Sequence, residues 1–162
     1  MRTPIRKPGK YTNIQPDPYI TQEKFNKLKA SLNRLINIDR PPAIKEVKEQ
    51  AAFGDFSENA AYGIAKGKLR SINYRILKIE GYIRNAIIIE EGQKNNTAQL
   101  GSEVTIESNG KIKTYRILGS AEVDVYKGVI SHNSPIGAGL MGKKVGDVIK
   151  IKDKEIRITA IN

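Results

Sequence analysis

The sequence contains no cysteine and a single histidine, His132, among its 162 residues. Without cysteine the chain forms no disulfides or thiolate metal sites, and one histidine cannot build a histidine-based zinc site or a Ser/His/Asp triad. Long hydrophobic runs are also missing, since the longest aliphatic run, Ala86 to Ile89, is far shorter than the about 20 residues that cross a bilayer. The basic N-terminus lacks the apolar core of a signal peptide, so we expect a cytoplasmic protein.

Acidic residues are scarce relative to basic ones. The chain has 28 lysines and arginines against 17 aspartates and glutamates, which gives a formal net charge of +11 at pH 7. Such a charge attracts polyanions, most economically nucleic acid or a nucleoprotein assembly. Charge alone leaves ribosomes, membranes and DNA open as partners.

Residues 1–101 divide into three parts that differ in composition and in the spacing of apolar residues. Residues 1–20 hold four prolines and four basic residues with little periodicity, which predicts a flexible arm that is either inert or functional. Residues 21–90 show helical spacing of apolar residues, with Thr21 suited to the N-cap. Residues 91–101 are polar and contain glycine, as is typical of a linker.

The helical part contains two apolar stripes. The first steps by three and four residues along Phe25, Leu28, Leu32 and Leu35. Pro41 and Pro42 interrupt this stripe before Ile44, which predicts one long helix broken or kinked near the prolines. The second stripe has heptad spacing and runs along Ala65, Leu69, Ile72, Ile76, Ile79, Ile83 and Ala86. We therefore predict an antiparallel helical hairpin with its tip at 53–59 and arms about 45 Å long.

In residues 102–162, apolar and polar residues alternate with period two, which predicts a small mixed α+β domain. The expected strands are marked by Val104/Ile106, Tyr115/Ile117, Val123/Val125, Val129, Val148/Ile149/Ile151 and Ile156/Ile158. Between them, Ser134 suits the cap of a short helix and Pro135 its first position.

Two motifs in this order resemble a known family. Residues 54–62, GDFSENAAY, match the GD-x-SENA-x-Y pattern of the bacterial transcript cleavage factors GreA and GreB. The segments YRILGSAEVD and ISHNSPIGAGLMGKKVGDVI are similar to that family's C-terminal strand, turn and helix. Arg40-Pro41 also fits the Arg-Pro break of the family's first helix. The resemblance extends from Tyr19 to the C-terminus.

The resemblance implies an α+β fold, with a coiled-coil hairpin followed by an FKBP-like mixed β-sheet domain with a short helix. It implies an accessory elongation factor that is not itself an enzyme. In this family the hairpin enters the secondary channel of bacterial RNA polymerase, and the polymerase then cleaves backtracked RNA near the nascent 3′ end. No cofactor is expected on the factor alone and no membrane partner. Because the hairpin satisfies its own seam, we expect a monomer.

The acidic residues of the tip have two interpretations. Carboxylates and hydroxyls near a helix start are favoured by capping and by the helix dipole. The resemblance instead implies that Asp55 and Glu58 help hold a catalytic Mg²⁺ shared with the polymerase active site. The two roles can coexist, with Ser57 and Asn59 as caps of the helix and Asp55 and Glu58 facing outward. Tyr62 supports the tip by local packing or stacks on a base.

Four basic residues follow the tip on the second helix: Lys66, Lys68, Arg70 and Arg75. Such residues either neutralise phosphates of the extruded RNA or form a solvated face. Their abundance favours a GreB-like member of the family. The length of the RNA fragment that is cleaved off stays open. In the C-terminal domain, the family's polymerase-docking turn corresponds to Asn133, Ser134 and Pro135. A purely structural role as helix cap is equally supported there.

Two other functions compete with cleavage stimulation. A regulator of the same architecture would occupy the channel and inhibit transcription, and the presence of both Asp55 and Glu58 favours cleavage over inhibition. A general basic coiled-coil protein would bind naked nucleic acid with salt-sensitive affinity and without any need for the tip carboxylates.

Overall fold

The computed structural model describes residues 17–52, 60–90, 96–151 and 154–162. The first part of the chain is mostly helical, with β1 Tyr19–Ile20, α1 Gln22–Arg34, α2 Arg40–Ala51, α3 Ala60–Arg84 and β2 Ile87–Ile88. The second part is mostly strand, with β3 Glu103–Ser108, β4 Lys111–Leu118, β5 Val129–Ser131, α4 Pro135–Leu140, β6 Val148–Ile151 and β7 Lys154–Ile161. The predicted α+β class is confirmed, with a helical hairpin preceding a mixed sheet.

The hairpin has its own apolar core, formed where α1 and α2 pack against α3. The buried members are Leu35, Ala43, Ile72 and Ile76, with Leu32, Ile36, Leu69 and Ile79 packed around them. Most of the predicted second stripe therefore faces the first arm. Ala86 does not, because α3 ends at Arg84 and Ala86 lies in the turn before β2. In the ranges that the structure describes, no helix has both the length and the apolarity to cross a membrane.

A π-helical turn, Leu35–Asp39, joins α1 to α2. The backbone N–H of Arg40 donates to the carbonyl of Leu35 five residues earlier, which defines the wider turn. Pro41 and Pro42 then fall in the first turn of α2, where a missing N–H costs least. The predicted irregularity of the long helix is thus a π-helical turn that lets the chain continue as helix past two prolines.

The second part of the chain forms a five-stranded sheet in the order β5-β4-β3-β7-β6. Within this sheet β4 and β5 pair in parallel and the other described pairs are antiparallel. Strand β3 turns into β4 through Asn109 and Gly110, which have φ of 52° and 70°. These positive φ values are those that Asn and Gly adopt most readily in a tight hairpin. Leu140 of α4 packs onto one face of the sheet, completing a core with Val104, Ile117 and Ile158.

The predicted strand at Val123/Val125 is wrong. Ser120–Glu122 form a short 3₁₀ turn, and the segment that follows is a loop. Asp124 holds this loop through its carboxylate, which accepts hydrogen bonds from the backbone N–H of Tyr126 and Lys127. Alternating valines resemble a half-buried strand, but here they are exposed and the side-chain-to-backbone bonds of Asp124 favour a turn.

The helical and sheet parts meet where β1 pairs in parallel with β2. Ile20 is fully buried there, and Asp17 binds Ser120 through its Oδ2, which accepts from the backbone N at 2.7 Å and from Oγ at 2.8 Å. Gly119 lies so close that a Cβ built on it would sit 1.8 Å from the carbonyl oxygen of Tyr19. Residues 17–20 therefore belong to the folded body, which corrects the predicted extent of the flexible arm.

Candidate functional site

The predicted metal-binding end of the hairpin is only partly described. Four of its residues lie in the segment 53–59, outside the described residues: Asp55, Ser57, Glu58 and Asn59. The segment joins α2, which ends at Ala51, to α3, which begins at Ala60. Elsewhere, among the residues the structure does describe, no group of three or more acidic or histidine side chains is arranged to hold a metal.

Tyr62 lies in the first turn of α3 and is half-buried. The Nζ of Lys66, one turn later, is 5.6 Å from the centre of the Tyr62 ring. This is a cation–π distance, and the i, i+4 spacing on a helix brings the two side chains together. Among the predicted RNA-contacting residues, Lys66 is therefore placed beside the Tyr62 ring at the start of α3.

Lys68 contacts the other arm of the hairpin. Its Nζ lies 2.8 Å from Oε2 of Glu46 on α2, and both side chains are partly exposed. The ion pair links α2 to α3 between the apolar core and the tip. Lys68 is one of the four residues predicted to contact RNA, and its positive charge is thus partly neutralised within the hairpin.

The four basic residues do not form a single row. At about 100° per residue, Lys66 and Arg70 share one side of α3, and Lys68 and Arg75 share nearly the opposite side. All four side chains are exposed. The four exposed cations therefore lie on two sides of α3, and no continuous basic row runs along all four positions.

The turn before α4 combines exposed and structural residues. The Ser134 Oγ accepts from the backbone N of Gly137 at 3.0 Å and donates to the carbonyl of Ser131 at 2.7 Å. Gly137 has no room for a side chain, because a Cβ would lie 2.1 Å from the same Ser131 carbonyl. The predicted cap at Ser134 with Pro135 in the first turn is confirmed. Asn133 and Pro135 are exposed, so their side chains are the ones open to a partner.

An apolar groove of about 590 Å³ lies beside this turn. Its walls come from the loop after the 3₁₀ turn, from α4 and from the β6–β7 hairpin, and they include Val123, Val125, Pro135, Ile136 and Ile151. Val123 and Val125 are 47% and 81% exposed, so this wall presents an apolar surface to solvent. Predicted docking residues Ser134 and Pro135 line the same groove.

Sequence reasoning missed this groove and the carboxylates at the junction of the two parts. Val123 and Val125 were assigned to a strand, so their exposure was not foreseen. The useful signal was the Asp124-x-Tyr126-Lys127-Gly128 pattern, which combines an aspartate able to cap a turn with a glycine after it. The partners of Asp17 and Glu122 lie about a hundred residues away in the sequence, beyond any local pattern.

The architecture defines a class of two-part proteins in which a long helical hairpin with exposed basic residues is joined to a small mixed-sheet domain with an apolar groove. Two family models match the chain. They describe a transcription elongation factor N-terminal region over residues 18–88 and a GreA/GreB transcription elongation factor C-terminal region over residues 93–162. The chain therefore belongs to the GreA/GreB family of transcription elongation factors.

Two curated relatives are similar to this chain over most of their length. Transcription elongation factor GreA of Staphylococcus carnosus is 39% identical over 148 residues, which cover 88% of this chain and 92% of that protein. GreA of Staphylococcus saprophyticus is 40% identical over 148 residues, covering 88% and 94%. Among solved structures, GreA factor homolog 1 of Thermus thermophilus is 28% identical, covers 88% of this chain and 97% of its own, and has a TM-score of 0.42. The GreB-like leaning of the second helix stays a prediction.

Proposed function

We propose that this chain binds RNA polymerase, inserts its hairpin into the secondary channel and stimulates the polymerase to cleave backtracked RNA. The observation that carries the proposal is the match to both halves of the GreA/GreB family together with Asp55 and Glu58 in the connection between α2 and α3. The polymerase performs the cleavage, and the factor completes its active site.

The hairpin suits insertion because it needs no partner to cover its seam. The apolar residues of the seam, such as Leu35, Ile72 and Ile76, are buried between the two arms, and α3 alone, at 25 residues, is about 38 Å long. A self-contained rod of this length reaches a site that a compact domain cannot enter. The sheet domain stays outside the channel in this proposal.

The residues present fit a shared Mg²⁺ rather than a resident one. Mg²⁺ prefers six oxygen ligands and keeps several waters, and Asp55 and Glu58 offer two carboxylates. Polymerase carboxylates, water and an RNA phosphate would supply the other ligands. When bound, the ion would polarise water for attack on the phosphodiester. The chain's own contribution is to bring two negative charges to that place.

The exposed cations of α3 support a role for this helix in contacting RNA. Lys66 and Arg70 lie on one side of α3, one and two turns beyond Tyr62. Phosphates of an extruded RNA 3′ segment would be neutralised along this side. Lys68 has a carboxylate partner in Glu46 and is the weaker candidate of the group.

Docking on the polymerase is assigned to the sheet domain. Asn133 and Pro135 are exposed beside the apolar groove, and Val123 and Val125 extend the same surface. An exposed apolar patch rimmed by polar residues is typical of a protein interface. Ser134 contributes through the shape of the turn, since its hydroxyl is engaged in the cap.

The proposal is tested with polymerase halted in a backtracked complex whose RNA carries a 3′-proximal label. The purified chain is added with Mg²⁺ as wild type, Asp55→Ala and Glu58→Ala, and Glu155→Ala, an exposed glutamate of the sheet domain, serves as the matched control. We expect wild type and Glu155→Ala to release 3′ fragments promptly. Both tip variants should bind the polymerase with unchanged affinity and release little.

Two results would contradict the proposal. Slowed nucleotide addition without fragment release would favour the channel-blocking inhibitor. Equal activity of wild type and both tip variants would remove the carboxylates from the mechanism.

A further inference from the structure

Two carboxylates connect the hairpin to the sheet domain in opposite directions. Asp17, which precedes β1, accepts two hydrogen bonds from Ser120 of the sheet domain. Glu122, two residues after Ser120, accepts from Thr21 of the hairpin, with Oε1 2.6 Å from the Thr21 backbone N and Oε2 2.6 Å from its Oγ1. We call these four residues the reciprocal clamp.

The clamp is shielded from solvent at Asp17 and Thr21, while Ser120 is exposed. The side chain of Asp17 is 6% exposed and Thr21 is 4% exposed. Hydrogen bonds to ionised carboxylates are shorter and stronger than neutral ones, and exclusion of water strengthens them further. Glu122 also places its negative charge at the start of α1, where the helix dipole favours it. The bonds of Glu122 to the buried Thr21 therefore resist bending at the junction more than an exposed contact would.

The clamp is continuous with the first turn of the hairpin. Thr21 is the N-cap of α1, and its Oγ1 accepts from the backbone N of Lys24 at 3.1 Å while donating to Glu122. One hydroxyl thus joins the sheet domain to the helix axis. On the returning arm, the Tyr82 hydroxyl of α3 donates to the carbonyl of Asp17 at 3.0 Å. Both arms of the hairpin are bonded to the same junction.

The clamp also adjoins the groove. Ser120 and Glu122 form the 3₁₀ turn, and the next residue, Val123, lines the groove wall. A single short segment of chain therefore holds the base of the hairpin at one end and the proposed docking surface at the other. The direction of the hairpin relative to the docked domain is set across this segment.

We propose that Glu122 and Asp17 are positioning residues that fix the direction of the hairpin, and this inference rests on the proposed function. The reason is the length of the hairpin, which turns a small rotation at its base into a large displacement at its far end. A rotation of about 10° at the junction would move the far end of α3, about 38 Å away, by about 7 Å. Misplacement of a catalytic group by about 1 Å is enough to lower a rate about a hundredfold. Two carboxylates delivered on such a long arm require a rigid base.

The first test measures direction without any polymerase. The chain has no cysteine, so Ser71→Cys on α3 and Lys150→Cys on β6, both exposed, provide two unique spin-label sites. Pulsed electron paramagnetic resonance then gives the distance distribution between them. We expect a single narrow distribution in the otherwise wild-type chain and in a Glu155→Ala control. It should broaden or shift in Glu122→Ala and most in the Asp17→Asn/Glu122→Ala double variant.

An unchanged distribution in the double variant would overturn the proposal. Circular dichroism on the same samples must show wild-type helix content, and Glu122→Gln, which keeps the size of the side chain, replaces Glu122→Ala if that variant unfolds. These outcomes are independent of transcript cleavage, so they decide on the clamp even if the wild-type chain releases no RNA fragment.

The second test separates positioning from docking in the cleavage assay. The rate of fragment release is measured over a range of factor concentrations for wild type, Glu122→Gln and the double variant. We expect the half-saturating concentration to stay within about twofold, while the maximal rate of the double variant falls about tenfold or more. A raised half-saturating concentration with an unchanged maximal rate would place these carboxylates in docking and overturn the proposal.

Discussion

Lys68 of α3 and Glu46 of α2 form an ion pair across the hairpin, with Nζ and Oε2 2.8 Å apart. The pair lies on the surface, so its contribution to the free energy of unfolding is about 1 kcal/mol at most. Its larger effect is on charge. A lysine next to a carboxylate attracts a phosphate less than an unpaired cation does, so the basic residues of α3 are not equivalent.

Arg70→Ala should therefore weaken RNA-dependent binding more than Lys68→Ala. Loss of one phosphate contact reduces the slope of log affinity against log salt concentration by about 1. We expect that change for Arg70→Ala and a smaller one for Lys68→Ala, measured as binding to backtracked complexes at several salt concentrations. Glu46→Gln, which releases Lys68, should raise the slope. Equal losses in the two alanine variants would contradict this ranking.

Gly119→Ala and Gly67→Ala should change stability in opposite directions. A Cβ on Gly119 would meet the backbone of Tyr19, so the segment before α1 would have to move, at a cost of about 1–3 kcal/mol or more. Gly67 lies in the interior of α3, and among the described residues no atom beyond its chain neighbours and the adjoining helix backbone lies within 4 Å of its Cβ position, so alanine there should stabilise by about 1 kcal/mol. Urea unfolding of both variants measures the difference.

Ser134→Ala and Asn133→Ala separate the structural and docking roles of the turn before α4. Removing the Ser134 hydroxyl takes away the helix cap and should cost about 1 kcal/mol of unfolding free energy. Asn133 is exposed, so Asn133→Ala should leave stability within about 0.5 kcal/mol. In polymerase binding we expect Asn133→Ala to lose affinity. Full affinity in that variant would remove Asn133 from the interface.

The stability of the junction should depend on pH through Asp17. Burial raises the pKa of Asp17, but the hydrogen bonds from Ser120 and Tyr19 and the charge of His132 together lower it more, so the pKa lies below its ordinary value of 3.8. A lowered folded-state pKa means that the stabilisation is complete above the unfolded-state pKa and is lost as pH falls through the folded-state pKa.

Unfolding of wild type and Asp17→Asn should be compared by urea titration between pH 6 and pH 2.5. We expect the variant to be less stable than wild type at pH 6 and the difference to shrink below about pH 4, as Asp17 becomes protonated. A difference that stays constant over the whole range would show that ionisation of Asp17 contributes nothing.

Much of the fold follows from local patterns. The heptad spacing of Ile72, Ile76 and Ile79 needs a partner helix, and Thr21, Ser134 and the Asn109-Gly110 turn have local signatures that the structure confirms. The loop at Val123 and Val125 could not be predicted in this way. Period-two alternation describes a half-buried strand, but whether the buried face exists depends on tertiary neighbours.

The candidate site, like the fold, has parts that local sequence predicts and parts that it does not. The tip motif and the docking turn are contiguous in the sequence, so a resemblance finds them. The clamp joins residues 101 and 103 positions apart, and the Lys68–Glu46 pair depends on how the two arms are aligned. Polar partners of this kind are fixed by the assembled fold, because any exposed lysine or glutamate has the same local appearance.

The π-helical turn Leu35–Asp39 has a consequence for the rotational phase of the hairpin. Leu35 and Ala43 are both buried in the seam although eight residues separate them, which is about 80° of rotation in a regular α-helix. The wider turn absorbs one residue and reduces this offset to about 20°. Without that residue, α2 would present a different side to α3. One surplus residue near the middle of the first arm therefore determines which way the far half of the hairpin faces.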